Sequence, residues 1–214
     1  MNITIREPGS ALTHFIAMLL ALCAAVPLLV RAAVHSGVKS LTAMTVFMIS
    51  MVLLYAASTI YHSVNCSGRI LRIFRKMDHM MIFVLIAGTY TPVCLLTLPK
   101  PSGLMLLAAV WGIALVGIFI KGFWITCPKW FSSVLYIAMS CLSVLGQLFS
   151  LLPLHAFLWL LAGGLIYTAG GIIYALRLPL FDARHPMFGL HEIFHLFVMA
   201  GSLCHFVFMF CYLA

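Results

Sequence analysis

Charge is what this sequence has least of. Only 7% of its 214 residues are Asp, Glu, Lys or Arg, and the acids number four: Glu7, Asp78, Asp182 and Glu192. A soluble domain carries about 25% charged residues to coat its surface, and a chain that is 64% hydrophobic cannot supply that coat. The same hydrophobicity excludes disorder. Alternating segments of about ten residues, the mark of an outer-membrane barrel, are lacking. So are internal repeats and low-complexity stretches. The seven cysteines are odd in number and include no C-x-x-C, which argues against a disulfide framework and for small buried apolar residues. No nucleic-acid-binding motif accompanies the formal charge of +8. That excess reads as basic loops facing anionic headgroups, with no nucleic-acid partner.

What is present is a series of apolar runs. Seven stretches reach the 20 or so residues that a transmembrane helix needs: 11–30, 41–64, 78–98, 103–123, 131–151, 154–176 and 190–213. With short loops they use nearly all of the chain, so residues 1–214 are expected to form one all-α, polytopic membrane domain of seven helices. The first run is longer than the apolar core of a signal peptide and lacks a small-residue cleavage site, and reads as a retained span. Pro92 lies inside the third span and should kink or loosen it, because it removes a backbone donor. The glycines of the sixth span, Gly163, Gly164, Gly170 and Gly171, suggest close helix packing.

Lysine and arginine set the orientation. The N-tail and the even-numbered loops hold nine: Arg6, Arg69, Arg72, Arg75, Lys76, Lys121, Lys129, Arg177 and Arg184. The opposite side holds Arg31, Lys39 and Lys100. The N-terminus is therefore expected in the cytoplasm and the C-terminus outside.

Ionisable residues within spans are costly and point to function. The second span ends in Ser58-Thr59-Ile60-Tyr61-His62, the third opens on Asp78-His79, and the seventh opens on His191-Glu192-Ile193-Phe194-His195. Ser58 and His62 are one turn apart on one face, as are His191 and His195. The alternating topology brings all three clusters to one depth, in the cytoplasmic leaflet. Three histidines with an open position describe a catalytic zinc site on His62, His191 and His195. Such an ion lowers the pKa of a bound water towards 7 and polarises a carbonyl. Asp78 is placed either to hold that water as general base or to ligate directly. Pairing with the basic cluster at 72–76 is its structural alternative. Ser58 either supports the water or Asp78, or bonds to its own helix backbone. His14 opens the first span on the same side and is a candidate supporting residue. His79 is on another face from Asp78, and His205, nearly three turns beyond His195, is expected to be a separate buried polar contact.

His191 to His195 also spells H-E-x-x-H, in which a zincin uses the Glu as base. No acid follows Glu192 to complete the ligands, and Val198 stands where the metzincin extension requires Gly. A protease is therefore a minor alternative, with Asp78 available as a remote third ligand.

These residues also resemble a known family. Ala57-Ser58-Thr59-Ile60-Tyr61-His62, Met77-Asp78-His79 through Gly88-Thr89-Tyr90-Thr91-Pro92, Gly189-Leu190-His191-Glu192-Ile193-Phe194-His195 and Gly201-Ser202-Leu203-Cys204-His205 are similar, in order, to the hemolysin III family of bacterial membrane proteins. These are grouped with progestin and adiponectin receptors and, more distantly, with alkaline ceramidases. The resemblance covers almost the whole chain. It implies seven helices with an inside N-terminus, zinc on His62, His191 and His195, and a zinc water positioned by Asp78. It does not call for a Glu between the paired histidines. Location in a bacterial cell (inner) membrane is implied too.

Three functions follow as expectations. The first is a zinc-dependent hydrolase of a lipid amide or ester, linked to membrane lipid homeostasis, with its substrate in an intramembrane cavity. The second is a pore-forming or cytolytic protein, for which the sequence offers no lumen-lining stripe of charge. The third is a lipid sensor or receptor with structural zinc. A hormone-receptor role does not transfer, because the chain lacks the cytosolic N-terminal domain of the adiponectin receptors.

Overall fold

The computed structural model describes residues 5–125, 145–176 and 188–214, and among these every regular element is helical. The helices are α1 (Pro8–Arg31), α2 (Gly37–Ser63), α3 (Gly68–Pro92), α4 (Lys100–Phe123), a short α5 (Leu145–Leu151), α6 (Leu154–Leu176) and α7 (Leu190–Phe208). Five continuous helical runs among the described residues are long and apolar enough to cross a membrane: Pro8–Ser63, Gly68–Thr97, Lys100–Phe123, Leu154–Leu176 and Leu190–Leu213. The chain is thus an all-α, polytopic membrane protein. Most of the expected fifth span, 131–151, lies outside the described residues, as do Lys129, Arg177, Asp182, Arg184 and His185.

The first run has 56 residues. As one straight helix it would extend about 84 Å. Instead, Glu7 N–H donates to His62 C=O at 3.0 Å and Arg6 N–H to Ser63 C=O at 3.5 Å, so its two ends meet. The reversal falls at a wide π-helical turn, Ala32–Ser36, followed by Gly37 at φ 74°. That backbone conformation lacks a favourable place for a Cβ, which is why glycine stands there. α1 and α2 are therefore an antiparallel hairpin. Pro8 starts α1, where its missing N–H costs nothing.

α3 begins ten residues before the predicted third span. Its first turns hold Arg69, Arg72, Arg75 and Lys76, which are good helix formers but too charged to be read as membrane-spanning. Asp78 and His79 consequently lie in the third turn of a helix rather than at its start. Pro92 loosens this helix as the sequence predicts: Val93–Thr97 widens into a π-helical turn, and Leu98 N–H donates to Val93 C=O at 3.3 Å.

Two contacts fix which ends lie together. Lys76 Nζ donates to the Gly122 carbonyl, joining the start of α3 to the end of α4. At the opposite end, Arg31 Nε donates to the Ala214 carbonyl at 3.1 Å. Large apolar side chains such as Leu20, Phe119, Leu165 and Leu203 point outward, whereas Phe47, Tyr55, Phe83 and Phe208 are buried. In lipid, such a bundle is held by close packing and by hydrogen bonds between helices.

The middle of the bundle contains a polar layer. Tyr55 of α2 donates its hydroxyl to Ser202 Oγ of α7 at 2.7 Å, and Tyr167 OH of α6 is 2.8 Å from the same oxygen. His205 is buried beside the Tyr167 ring, at 5.2 Å between centroids. Glycines make the room: a Cβ at Gly163 would be 2.8 Å from the His205 ring, and one at Gly201 would be 2.5 Å from the Tyr167 ring. The sixth-span glycines thus divide in role. Gly163 and Gly170 seat side chains of α7, while a Cβ at Gly164 or Gly171 would meet nothing within 4 Å. At 3.6 residues per turn, His191, His195, Ser202 and His205 fall within about 80° on α7 and form one polar stripe along it.

Candidate metal centre

The open end of the α1–α2 hairpin, where Glu7 meets His62, receives the start of α7, and this meeting builds the site. His62 comes from the last turn of α2; His191 and His195 come from the first two turns of α7. One nitrogen from each of the three rings lies within 4.8 Å of the others. His62 and His195 are 1% and 2% exposed, and His191 is half-buried. The Nε2 atoms of His62 and His191 are 3.2 Å apart. Zinc–nitrogen bonds of about 2.05 Å at a tetrahedral angle place neighbouring ligand atoms roughly 3.3 Å apart. His62 and His191 are therefore spaced as two ligands of one metal ion, with His195 close enough to complete a group that could hold it.

Hydrogen bonding on the far side of the rings orients them. His62 Nδ1 bonds to Glu7 Oε2. His195 Nδ1 is 3.0 Å from Thr13 Oγ1, whose own proton goes to Ser10 C=O at 2.9 Å. Thr13 Oγ1 must then accept, so His195 carries its proton on Nδ1 and presents a lone pair at Nε2. Glu7, an acceptor when ionised, imposes the same tautomer on His62. Carboxylate or hydroxyl oxygens behind metal-binding imidazoles serve this purpose in known metal sites. Glu7 is itself steadied. Partial burial pushes its carboxyl up, but the His62 imidazole and the Arg6 guanidinium, 3.3 Å from Oε1, outweigh burial and hold it below the usual carboxylate range. Arg6 in turn lies 4.3 Å over the Tyr61 ring.

The other expected residues divide. Asp78 is buried, yet stays outside the tight group of three nitrogens. Among the described residues it makes no ion pair with Arg72, Arg75 or Lys76; its Oδ2 lies 3.5 Å from His79 Nδ1. His79 Nδ1 also donates to Arg75 C=O at 2.8 Å. Ser58 is fully buried and its hydroxyl faces the Asp78 carboxyl. It does not bond back to its helix as Thr59 does, whose Oγ1 donates to Tyr55 C=O at 2.7 Å. A hydroxyl facing a buried carboxyl, one helix turn before His62, is placed to orient that carboxyl.

Glu192 does not point at the three nitrogens. Its carboxylate accepts the Ser10 hydroxyl and, at 2.8 Å, the Gly189 N–H, so it caps α7 and ties that helix to α1. A zincin base would need that carboxylate turned to the metal. Glu7, Ser10 and Thr13 are the residues that the sequence reading missed. Their recurrence every three residues, next to His14, keeps them on one side of a helix, as the four-residue step does for Ser58 and His62, and that was the available signal.

Residues 3–206 match the family described as Haemolysin-III related. Among curated proteins, the chain is 37% identical to the Hemolysin-3 of Bacillus cereus over 199 residues, 92% of this chain and 87% of that one. It is 36% identical to the Hemolysin-3 homolog of Bacillus subtilis over 202 residues, 93% of this chain and 91% of that one. With this match spanning every residue of the histidine centre, the chain belongs to the haemolysin-III related family.

Proposed function

We propose that this chain is a zinc-dependent hydrolase of a lipid amide or ester, working in the cytoplasmic leaflet of a bacterial cell membrane. In this reading it has seven spans, an inside N-terminus, and its lipid substrate enters a cavity between helices. The observation that carries it is the convergence of three imidazoles, two with Nδ1 tied to oxygen and Nε2 lone pairs turned inward. Lone pairs brought together in a buried place repel unless a cation or proton lies between them.

His62, His191 and His195 would hold the ion. Bound there, zinc supplies a Lewis acid for a lipid carbonyl and acidifies a water. The rest belongs to the chain. Asp78 accepts the proton of the attacking water and returns it to the leaving amine or alkoxide. The hydroxyl of Ser58 orients Asp78 or the water. Glu7 and Thr13 keep the two buried imidazoles in the tautomer that leaves Nε2 unprotonated. The apolar helices around the site exclude bulk water and admit an acyl chain.

The test is metal analysis of the purified protein followed by incubation with mixed membrane lipids and mass spectrometry of released fatty acid. About one zinc per chain, lost in a His62/His191/His195→Ala triple variant, together with fatty acid release, supports the reading. Zinc retained by the triple variant overturns it. The name of the two Bacillus relatives favours a second reading, a cytolytic membrane protein. Liposome leakage that persists after chelation would select it. Metal binding with neither release nor leakage would instead indicate a lipid sensor with structural zinc.

A further inference from the structure

His14 is absorbed by none of the roles described above. It is 3% exposed, and neither ring nitrogen has a hydrogen-bond partner. Its ring is stacked on His195, 3.5 Å between centroids and 7° from parallel. His62 and His191 are its other electrostatic neighbours, so it borders the whole group rather than one member. Neighbouring polar groups are engaged elsewhere. Thr13 Oγ1 serves Ser10 and His195, and the hydroxyl of Tyr55, whose ring is 5.1 Å from His14, goes to Ser202.

A buried imidazole that forms no hydrogen bond forfeits the solvation of an N–H and of a lone pair, and native structures rarely leave such groups open. Stacking uses only the face of the ring. Its hydrogen-bonding directions lie in the ring plane, parallel to the plane in which His195 presents its Nε2. A donor is available in either tautomer, since both nitrogens are open.

Resting on the metal reading, we infer that His14 is a further ligand-recognition residue of this centre. It donates to the oxygen of a carboxylate or carbonyl that occupies the metal's non-protein position, and contributes no metal bond of its own. The ligand class is therefore an acyl oxygen, as in a lipid amide, a lipid ester or the fatty acid either one releases.

The test loads the full-length protein with cobalt(II), records the visible spectrum and titrates acetate. His14→Phe keeps the ring stack and removes both nitrogens; His14→Asn keeps a donor. Cobalt affinity of His14→Phe should stay within about threefold of the parent, since no metal bond is lost. Acetate affinity should fall about tenfold or more, the loss of one charge-assisted hydrogen bond. His14→Asn should recover part of it. Unchanged acetate affinity in His14→Phe overturns the inference while leaving the metal reading intact. Loss of cobalt from His14→Asn also overturns it, because His14 would then be a ligand or a support for one. A parent that takes up no cobalt fails the metal reading itself.

Discussion

Thr13 Oγ1 accepts the His195 Nδ1 proton at 3.0 Å, across 182 residues of sequence. A threonine on the first helix thus determines which nitrogen of a histidine on the last helix is free. Thr13→Val keeps the shape and removes the oxygen. Metal affinity should fall by roughly 10–100-fold, the usual effect of losing such a partner. Competition with a chromophoric chelator would measure it, and Glu7→Gln should weaken binding through His62 in the same way.

Metal binding and turnover should separate by residue. His62→Ala and His195→Ala are expected to lose the ion. Asp78→Asn and Ser58→Ala, outside the nitrogen group, should retain about one equivalent by elemental analysis. Asp78→Asn should still lose fatty acid release by two orders of magnitude or more, the scale of a missing general base.

Glu192→Gln distinguishes a cap from a base. Glutamine can keep the Gly189 N–H with its amide oxygen and turn its NH2 to donate to Ser10 Oγ, so fatty acid release should remain within a few-fold of the parent. A fall to background would restore the zincin reading of H-E-x-x-H.

The two adjacent glycines of α6 should respond differently to a methyl group. At Gly163 it meets the His205 ring and must displace it, an overpacking that costs about 1–3 kcal/mol. At Gly164 it enters open space. Thermal unfolding in detergent should show a lower midpoint for Gly163→Ala and an unchanged or slightly higher one for Gly164→Ala.

Ser202→Ala should be costlier than Tyr55→Phe. The serine hydroxyl is the shared partner of Tyr55 and Tyr167, and its loss leaves two buried phenols unsatisfied, at about 1–3 kcal/mol each. Tyr55→Phe removes one bond and leaves Tyr167 with its partner. The same detergent unfolding ranks the two variants.

The membrane class, the existence of most described helices and the meeting of His62 with His191 and His195 were legible in the sequence, because apolar run length and one-turn spacing are local properties. α3 was partly misread for a physical reason. Its first ten residues are helical by propensity, yet carry four cations, and a search for apolar runs discards them. The contributions of Glu7, Ser10 and Thr13 depend on tertiary events, closure of the α1–α2 hairpin for Glu7 and docking of α7 on α1 for Ser10 and Thr13. The sequence placed Glu7 in a tail, and the fold sets it against His62. The role of Gly163 was likewise invisible, since packing against an imidazole and packing against a backbone look alike in one dimension.

The centre joins the two ends of the chain. His62 belongs to a hairpin made early in synthesis, whereas His191, its neighbour in space, comes 129 residues later. A ribosome that stalls before the last helix leaves one imidazole and no chelate. In the proposed reading, metal retention therefore reports a finished fold: only a chain whose final helix has docked against the first brings the three imidazoles together.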